Sequence, residues 1–95
     1  MSAFLIARVN VTNSEQYENY KKLSVEAVNK YQGRFLARGG TTLTLEGTNE
    51  TDRVVILEFD SLDNAKTFYE SPDYQKAKAA REGAATGQFI VVDGV

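Results

Sequence analysis

The sequence predicts one α+β domain over residues 1–95, with a four-stranded antiparallel sheet and two helices on one of its faces. Its element order is β-α-β-β-α-β, which is the order of ferredoxin-like folds. Three observations predict this fold: short apolar runs mark four strands, two stretches of helical periodicity separate them in this order, and 95 residues are too few for a second core.

The amino-acid composition excludes several kinds of chemistry and of partner. The chain has no Cys and no His, which excludes disulfides, thiolate nucleophiles, imidazole bases and Cys/His zinc sites. We expect neither a metal nor a cofactor. A net charge of −2 gives little attraction to nucleic acid or to anionic lipid, so neither is an expected partner. The apolar run Ala3–Ala7 is too short for a signal peptide or a membrane span, and we expect a cytoplasmic protein.

The first strand is predicted at Phe4–Val9, a nearly continuous apolar run that suits a strand covered on both faces. A helix capped by Asn13 or Ser14 follows it. Gly33 is expected to end this helix in a left-handed conformation. One stripe of the helix faces the core, because its apolar residues recur at steps of three and four: Tyr17, Tyr20, Ala27, Val28 and Tyr31.

The second strand is predicted in two pieces, Arg34–Arg38 and Thr42–Glu46, which together form one bent edge strand. Gly39 and Gly40 between them permit a bulge or a bend. The third strand is predicted at Arg53–Phe59, the strongest strand pattern of the chain, and we expect it in the centre of the sheet.

The second helix is predicted to be kinked. Ser61 caps its first segment, and helical spacing continues until Ser71 and Pro72. Ser71 then caps a second segment, in which Pro72 takes the first helical position. The last strand is predicted at Phe89–Val92.

The predicted strands are apolar on both faces. In the third strand Val55, Leu57 and Phe59 point one way, while Val54 and Ile56 point the other way. Two helices cover only one side of the sheet, which leaves an apolar surface of about 400 Å² in projection on the other side. A patch of that size typically marks an interaction site, and we therefore expect a homodimer that packs sheet against sheet.

Several motifs are spread along the whole chain: Tyr31-x-Gly33-x-Phe35-Leu36-x-Arg38-Gly39-Gly40, Leu45-Glu46-Gly47, Arg53–Phe59, Phe68-Tyr69-x-Ser71-Pro72-x-Tyr74-Gln75 and Arg81-x-Gly83-Ala84. Together they resemble the domain of unknown function 1330 family. The resemblance implies a dimeric α/β barrel, in which ferredoxin-like protomers are joined through their sheets. Relatives in that superfamily include cofactor-free monooxygenases, small enzymes that handle lactones, and stress-response proteins, so the resemblance implies a fold rather than one reaction.

Glu58 is the leading candidate for a catalytic acid or base. It alternates with Val54 and Ile56 and so interrupts an apolar strand face, where a carboxylate is paired, protonated or solvated at the margin of the sheet. The alternative interpretation is a structural ion pair with Arg38 or Arg8 from a neighbouring strand.

Four further side chains are candidates for ligand binding. Arg38, ahead of the two glycines, either binds an anionic ligand or anchors a carbonyl group of the bend. Arg81 lies among alanines and either reaches into a cleft or extends into solvent. Tyr20 and Tyr69 are expected at a pocket, although their spacing is also that of core residues.

Two functional hypotheses follow from these residues. The first is a small, cofactor-free dimeric enzyme whose pocket between helices and sheet holds a small organic acid or aromatic between Glu58 and Arg38. The second is a non-catalytic ligand-binding or stress-related homodimer in which the polar residues are structural. An RNA-recognition module is not expected, because Arg53–Phe59 is aliphatic except at its end, where such modules carry stacking aromatic residues within the strand.

Overall fold

The chain, described over residues 2–95 by a computed structural model, forms four strands and three helices. In chain order they are β1 (Ala3–Val11), α1 (Ser14–Lys30), β2 (Arg34–Arg38), β3 (Arg53–Phe59), α2 (Leu62–Glu70), α3 (Pro72–Ala80) and β4 (Ala85–Asp93). The sheet is antiparallel with strand order β2-β3-β1-β4, which confirms the predicted fold class and the inner position of β3. None of the three described helices is long and apolar enough to cross a membrane.

Capping groups set the two ends of α1. Asn13 is the N-cap, and its side-chain oxygen accepts a hydrogen bond of 3.1 Å from the backbone N–H of Gln16. At the other end the left-handed residue is Gln32, with a φ of 63°, so the prediction that Gly33 has this conformation is wrong. Gly33 is needed for packing instead, because a Cβ atom there would lie 2.8 Å from the ring of Phe59.

Ser71 separates α2 from α3. Its hydroxyl donates to the carbonyl oxygen of Phe68 at 2.7 Å and accepts from the backbone N–H of Tyr74 at 3.1 Å. The hydroxyl therefore caps both helix ends, and Pro72 occupies the start of α3, where its missing N–H is not needed. The predicted kink is thus a break between two helices, and it fixes Tyr74 in the first turn of α3.

The segment between β2 and β3 contains no strand, and the prediction of a strand at Thr42–Glu46 is wrong. The ladder between β2 and β3 ends at Gly39, whose N–H donates to the carbonyl oxygen of Val54 at 2.9 Å. Only Arg53 of β3 lies beyond this bond, and the chain turns away from the sheet. Leu43 and Leu45 are consequently 82% and 88% exposed.

The two faces of the sheet have different surroundings. The helices cover one face, and the strand residues buried there include Ala3, Leu5, Ala7, Val9, Leu57 and Phe59. We call the other one the outer face, because no helix of residues 2–95 covers it. Its apolar side chains are half-buried or exposed and include Phe4, Ile6, Val54, Ile56, Ile90 and Val92.

The helix α1 packs chiefly against α3 rather than against the strands. In this contact the rings of Tyr20 and Tyr74 meet edge to face, with their centres 6.2 Å apart. By contrast, α2 lies against β1, β3 and β4. The space between α1 and the sheet is therefore only partly filled by side chains.

The close approach of Gly33 to Phe59 gives a test of this packing. We expect Gly33→Ala to lower the free energy of unfolding by about 1–3 kcal/mol, the usual cost of overpacking a core. Gly40→Ala is the matched control, because nothing lies within 4 Å of a Cβ atom at that position. This control should change stability by less than about 1 kcal/mol. Urea unfolding at one protein concentration measures both variants, and an unchanged stability of Gly33→Ala would contradict the packing.

Candidate functional site

A cavity of about 660 Å³ lies between α1 and the helix-covered face of the sheet. That volume is within the range of sites for small organic molecules. The floor includes small apolar side chains of β1 and β3, such as Ala7, Val9 and Val55, and the roof includes Tyr17 and Tyr20 of α1. The cavity exists because α1 rests on α3 and the small floor residues leave the remaining gap open.

The hydroxyl groups of Tyr20 and Tyr74 form a buried polar pair at the cavity wall, 2.8 Å apart. Burial raises the pKa of both phenols above the usual value. Both groups are therefore neutral near pH 7 and act as hydrogen-bond donors rather than as bases. One hydroxyl hydrogen is used between the two oxygens, whereas the second has no acceptor among the described residues.

Arg81 does not line the cavity but stacks on two residues that do. Its guanidinium carbon lies 5.3 Å from the centre of the Tyr20 ring and 4.9 Å from that of Phe89. Arg81 is only 8% exposed, which excludes the interpretation in which it extends into solvent. Within residues 2–95 its Nε has no hydrogen-bond partner and no carboxylate forms an ion pair with it. Because a guanidinium only donates, Arg81 adds positive potential without supplying the missing acceptor.

Two arginines from neighbouring strands line the cavity, Arg38 at the end of β2 and Arg53 at the start of β3. The guanidinium carbon of Arg38 lies 4.5 Å from the ring centre of Phe35, and that of Arg53 lies 5.9 Å from the ring centre of Tyr17. The Nε of Arg53 is buried without a hydrogen-bond partner. Arg53 was not among the residues predicted for the site, although the parity of Arg53 with Val55 along the strand places it on the helix-covered face.

A bulge in β2 brings Arg38 to the cavity. The register between β2 and β3 shifts between Phe35 and Ala37, so that Leu36 is the extra residue. In a regular strand Arg34 and Arg38 would share a face. The bulge instead turns Arg38 to the cavity and leaves Arg34 on the outer face. The bulge predicted at the double glycine therefore lies earlier in the strand.

The charged side chains around the cavity are mostly cations. Besides the two arginines, Lys21 and Lys22 line it, against the single carboxylate of Glu26; Lys22 and Glu26 are both exposed. Lys21 is also paired with Glu18 at 3.0 Å. The lining thus presents hydrogen-bond donors and positive charge beside an apolar floor, an arrangement that suits a small anionic ligand.

Glu58 lies on the outer face, on the opposite side of the sheet from the cavity. Its carboxylate accepts a hydrogen bond of 3.1 Å from Arg34. The prediction that Glu58 forms an ion pair with Arg38 or Arg8 is therefore wrong. A hydrogen bond from Ser2 and the Arg34 guanidinium hold the pKa of Glu58 below its usual value. Glu58 and Arg38 do not flank one ligand within a protomer, and a catalytic role for Glu58 stays a prediction.

The two candidate tyrosines differ in position. Tyr20 lines the cavity, as described above, whereas Tyr69 lies outside its lining. The ring centre of Tyr69 is 5.0 Å from that of Tyr74 and 6.1 Å from that of Phe89. Tyr69 therefore supports the wall that Tyr74 and Phe89 form.

Comparison with known proteins places this architecture in a family. The model of the family Domain of unknown function (DUF1330) matches residues 2–95. No curated protein matches the chain.

Solved structures share the fold at low sequence identity. A protein of unknown function from Rhodopseudomonas palustris is 20% identical, with a TM-score of 0.78 over 99% of this chain and 82% of that chain. SnoaB, a cofactor-independent oxygenase from Streptomyces nogalater, is 15% identical, with a TM-score of 0.70 over 99% of this chain and 93% of that chain. A dimeric protein of unknown function with a ferredoxin-like fold from Bacteroides fragilis is 16% identical, with a TM-score of 0.60 over 98% of this chain and 96% of that chain. At these identities the likeness establishes the fold alone.

The lowered pKa of Glu58 gives a pH-dependent test of its ion pair. Because the folded-state pKa lies below the unfolded-state value near 4.5, the ionised carboxylate, with its hydrogen bonds from Ser2 and Arg34, stabilises the fold above that value. This stabilisation is lost as the pH falls through the lower, folded-state pKa. We therefore expect Glu58→Gln to be less stable than the wild type near neutral pH, and this difference to shrink in acid, below the unfolded-state pKa. Urea unfolding near neutral pH and in acid measures the difference in stability between the wild type and the variant. A difference that stays the same in acid would show that the ionised carboxylate is not its source.

Proposed function

The chain belongs to the family Domain of unknown function (DUF1330), as its motifs predict, and from this premise we propose that it binds a small organic acid or aromatic anion in the cavity beneath α1. We further propose that it acts on this ligand as a cofactor-free enzyme. One observation carries the proposal: the polar side chains around the cavity mostly donate hydrogen bonds or carry positive charge, while its floor is apolar.

The lining favours the anionic form of a weakly acidic ligand. Arg38, which is exposed, and Arg53, which is half-buried, stabilise negative charge, and the effect of Arg53 is stronger in a partly enclosed, apolar cavity than in water. Tyr20 and Tyr74 add neutral hydroxyl donors, because burial raises the pKa of both. A phenol or an enol bound here would therefore ionise at a lower pH than in water. The protein would activate its ligand by stabilising this anion rather than by supplying a base.

A structural neighbour supports a reaction of such an anion. SnoaB shares the fold and is a cofactor-independent oxygenase. An enolate or a phenolate is rich in electrons, so the ligand itself can supply the electrons that dioxygen accepts. We propose direct reaction of the bound anion with dioxygen as the class of chemistry.

The second candidate function is ligand binding without turnover. In the described part of the chain the cavity has no buried carboxylate to accept a proton, since Glu26 is exposed. Under this hypothesis the arginines bind the ligand and the tyrosines orient it, and the ligand leaves unchanged.

We propose that two copies of the chain pack through their outer faces. This face is open in the protomer, where Ile90 and Val92 are each 49% exposed, and a second copy would remove that apolar surface from water. The similar protein from Bacteroides fragilis is dimeric, which supports a dimer here. Glu58 and Arg34 would then lie at the interface. The cytoplasmic location stays a prediction.

A thermal-shift screen of small organic acids and aromatics tests the proposed ligand class. A ligand at about 100 times its dissociation constant should add roughly 2.7 kcal/mol to the stability of the wild type. We expect Arg38→Met to lose part of this gain with acids, because one of the two arginines at the cavity is removed. Lys66→Met is the matched control, since it removes one exposed charge outside the cavity lining and should keep the gain.

The same compounds separate the two candidate functions. Dioxygen uptake in the presence of a stabilising ligand supports the enzyme, and binding without uptake supports the ligand-binding protein. A screen in which no acid or aromatic stabilises the wild type would show that the proposed ligand class is wrong.

Sedimentation velocity in dilute solution tests the proposed dimer. We expect the wild type to sediment as a dimer and Ile90→Asp to sediment as a folded monomer, because a charge in the apolar interface cannot be desolvated without cost. Leu62→Asp is the matched control: Leu62 is 42% exposed on α2, so the same change there should leave the dimer intact. A monomeric wild type, or a dimeric Ile90→Asp variant, contradicts the interface.

A further inference from the structure

Two groups of hydrogen-bond donors at the cavity lack acceptors, and Tyr17 lies between them. One is Arg53, whose Nε is buried without a partner, and the other is the hydroxyl pair of Tyr20 and Tyr74. The ring centre of Tyr17 lies 5.9 Å from the guanidinium carbon of Arg53 and 5.0 Å from the ring centre of Tyr20. Two separated donor groups indicate a ligand with two separated acceptor groups.

We propose that the ligand is an aromatic carboxylic acid with a second oxygen, a hydroxyl or keto group, on its ring system. Its carboxylate binds Arg53, and its second oxygen accepts a hydrogen bond from the Tyr20–Tyr74 pair. This proposal rests on the proposed function of the cavity, and it assigns a binding group to each end of the ligand.

Arg53 fits a carboxylate in shape and in charge. A guanidinium presents its N–H groups in a planar fork that matches the two oxygens of a carboxylate. No acidic side chain within residues 2–95 forms an ion pair with Arg53, so its charge is uncompensated within the described protomer. Gly39 leaves the space that this guanidinium occupies, because a Cβ atom there would overlap it, and the φ of +70° at Gly39 also favours glycine. The backbone is thus shaped to hold Arg53 at the cavity.

The tyrosine pair fits an oxygen that accepts a hydrogen bond. Two hydroxyls carry two hydrogens, and the 2.8 Å bond between Tyr20 and Tyr74 uses only one of them. The neighbouring Arg81 brings further donors, so it cannot satisfy the remaining hydrogen. Its positive charge favours an acceptor with full or partial negative charge, such as a phenolate or a ketone oxygen.

An aromatic ring system fits the space between the two ends. The cavity there is bounded by the apolar floor residues Val9 and Val55 and by the rings of Tyr17 and Phe35. Flat rings pack well against such surfaces through stacked or edge-to-face contacts.

Calorimetric titration of matched compounds tests each end separately. The compounds are the monohydroxybenzoates, benzoate, and the corresponding hydroxybenzamides. We expect the wild type to bind its best hydroxybenzoate about tenfold to a hundredfold more tightly than the amide, which lacks the charge. It should bind that compound about tenfold more tightly than benzoate, which lacks the second oxygen.

Variants should remove one preference at a time. Arg53→Met should remove most of the preference for acid over amide and keep the preference for the hydroxyl group, while Arg53→Lys should restore part of the preference for the acid. The double change of Tyr20→Phe and Tyr74→Phe should abolish the preference for the hydroxyl group and keep the preference for the acid. We expect this variant to fold, because both hydrogen-bonding partners are replaced by apolar groups of similar shape. Lys66→Met, outside the cavity lining, should keep both preferences.

The outcomes separate this inference from the proposed function. If the wild type binds acid and amide equally, or if Arg53→Met folds and keeps the preference for the acid, the inference is overturned and the cavity remains a binding site. If the wild type binds no organic acid or aromatic at all, both are overturned. The wild-type series measures both preferences by itself, so the test does not depend on the folding of any variant.

Discussion

The edge-to-face packing of the Tyr20 ring on the Tyr74 ring joins α1 to α3, and the candidate site depends on that support. A helix above a sheet normally buries its apolar stripe directly on the strands, but α1 packs chiefly on α3. The position of Tyr74 is fixed in turn by Ser71, which caps α3 and breaks the helical run before it. Because α1 is held from the side, the small residues beneath it, among them Ala7 and Val55, leave a cavity rather than a filled core.

Burial of the two tyrosine hydroxyls also decides the chemistry of this cavity. It keeps the phenols of Tyr20 and Tyr74 neutral by raising their pKa, so they donate hydrogen bonds and do not abstract protons. The cations Arg38 and Arg53 stand at the strand ends, where the β2 bulge and the glycine after it turn them inward. The guanidinium groups only donate hydrogen bonds, and one hydroxyl hydrogen of the tyrosine pair is also without an acceptor; an anionic ligand would supply acceptors for both. The site therefore suits a molecule that brings its own acidic group.

The local patterns of the sequence predicted the fold well. The positions of the site residues depend instead on how β2 pairs with β3, which local patterns do not show. Thr42–Glu46 alternates like a strand, but a strand forms only where a partner can pair with it. The two edges of β3 are already paired, one with β2 and the other with β1. Arg38 was expected beside Glu58, but the extra residue Leu36 in the bulge turns it to the other face, and nothing in the sequence marks that position. Arg53 could have been predicted from the sequence, because it alternates with Val54 along β3 and therefore shares the helix-covered face with Val55.

The fold thus produces the cavity through α1, which packs on α3 and leaves a gap above the sheet. The most direct test is a high-resolution crystal structure at neutral pH. We expect α1 to rest on α3 above an open cavity, with an anion or ordered water accepting hydrogen bonds between the Nε of Arg53 and the Tyr20–Tyr74 pair. A structure in which α1 is packed down on β3, with no cavity and with the guanidinium of Arg53 in solvent, would contradict the account.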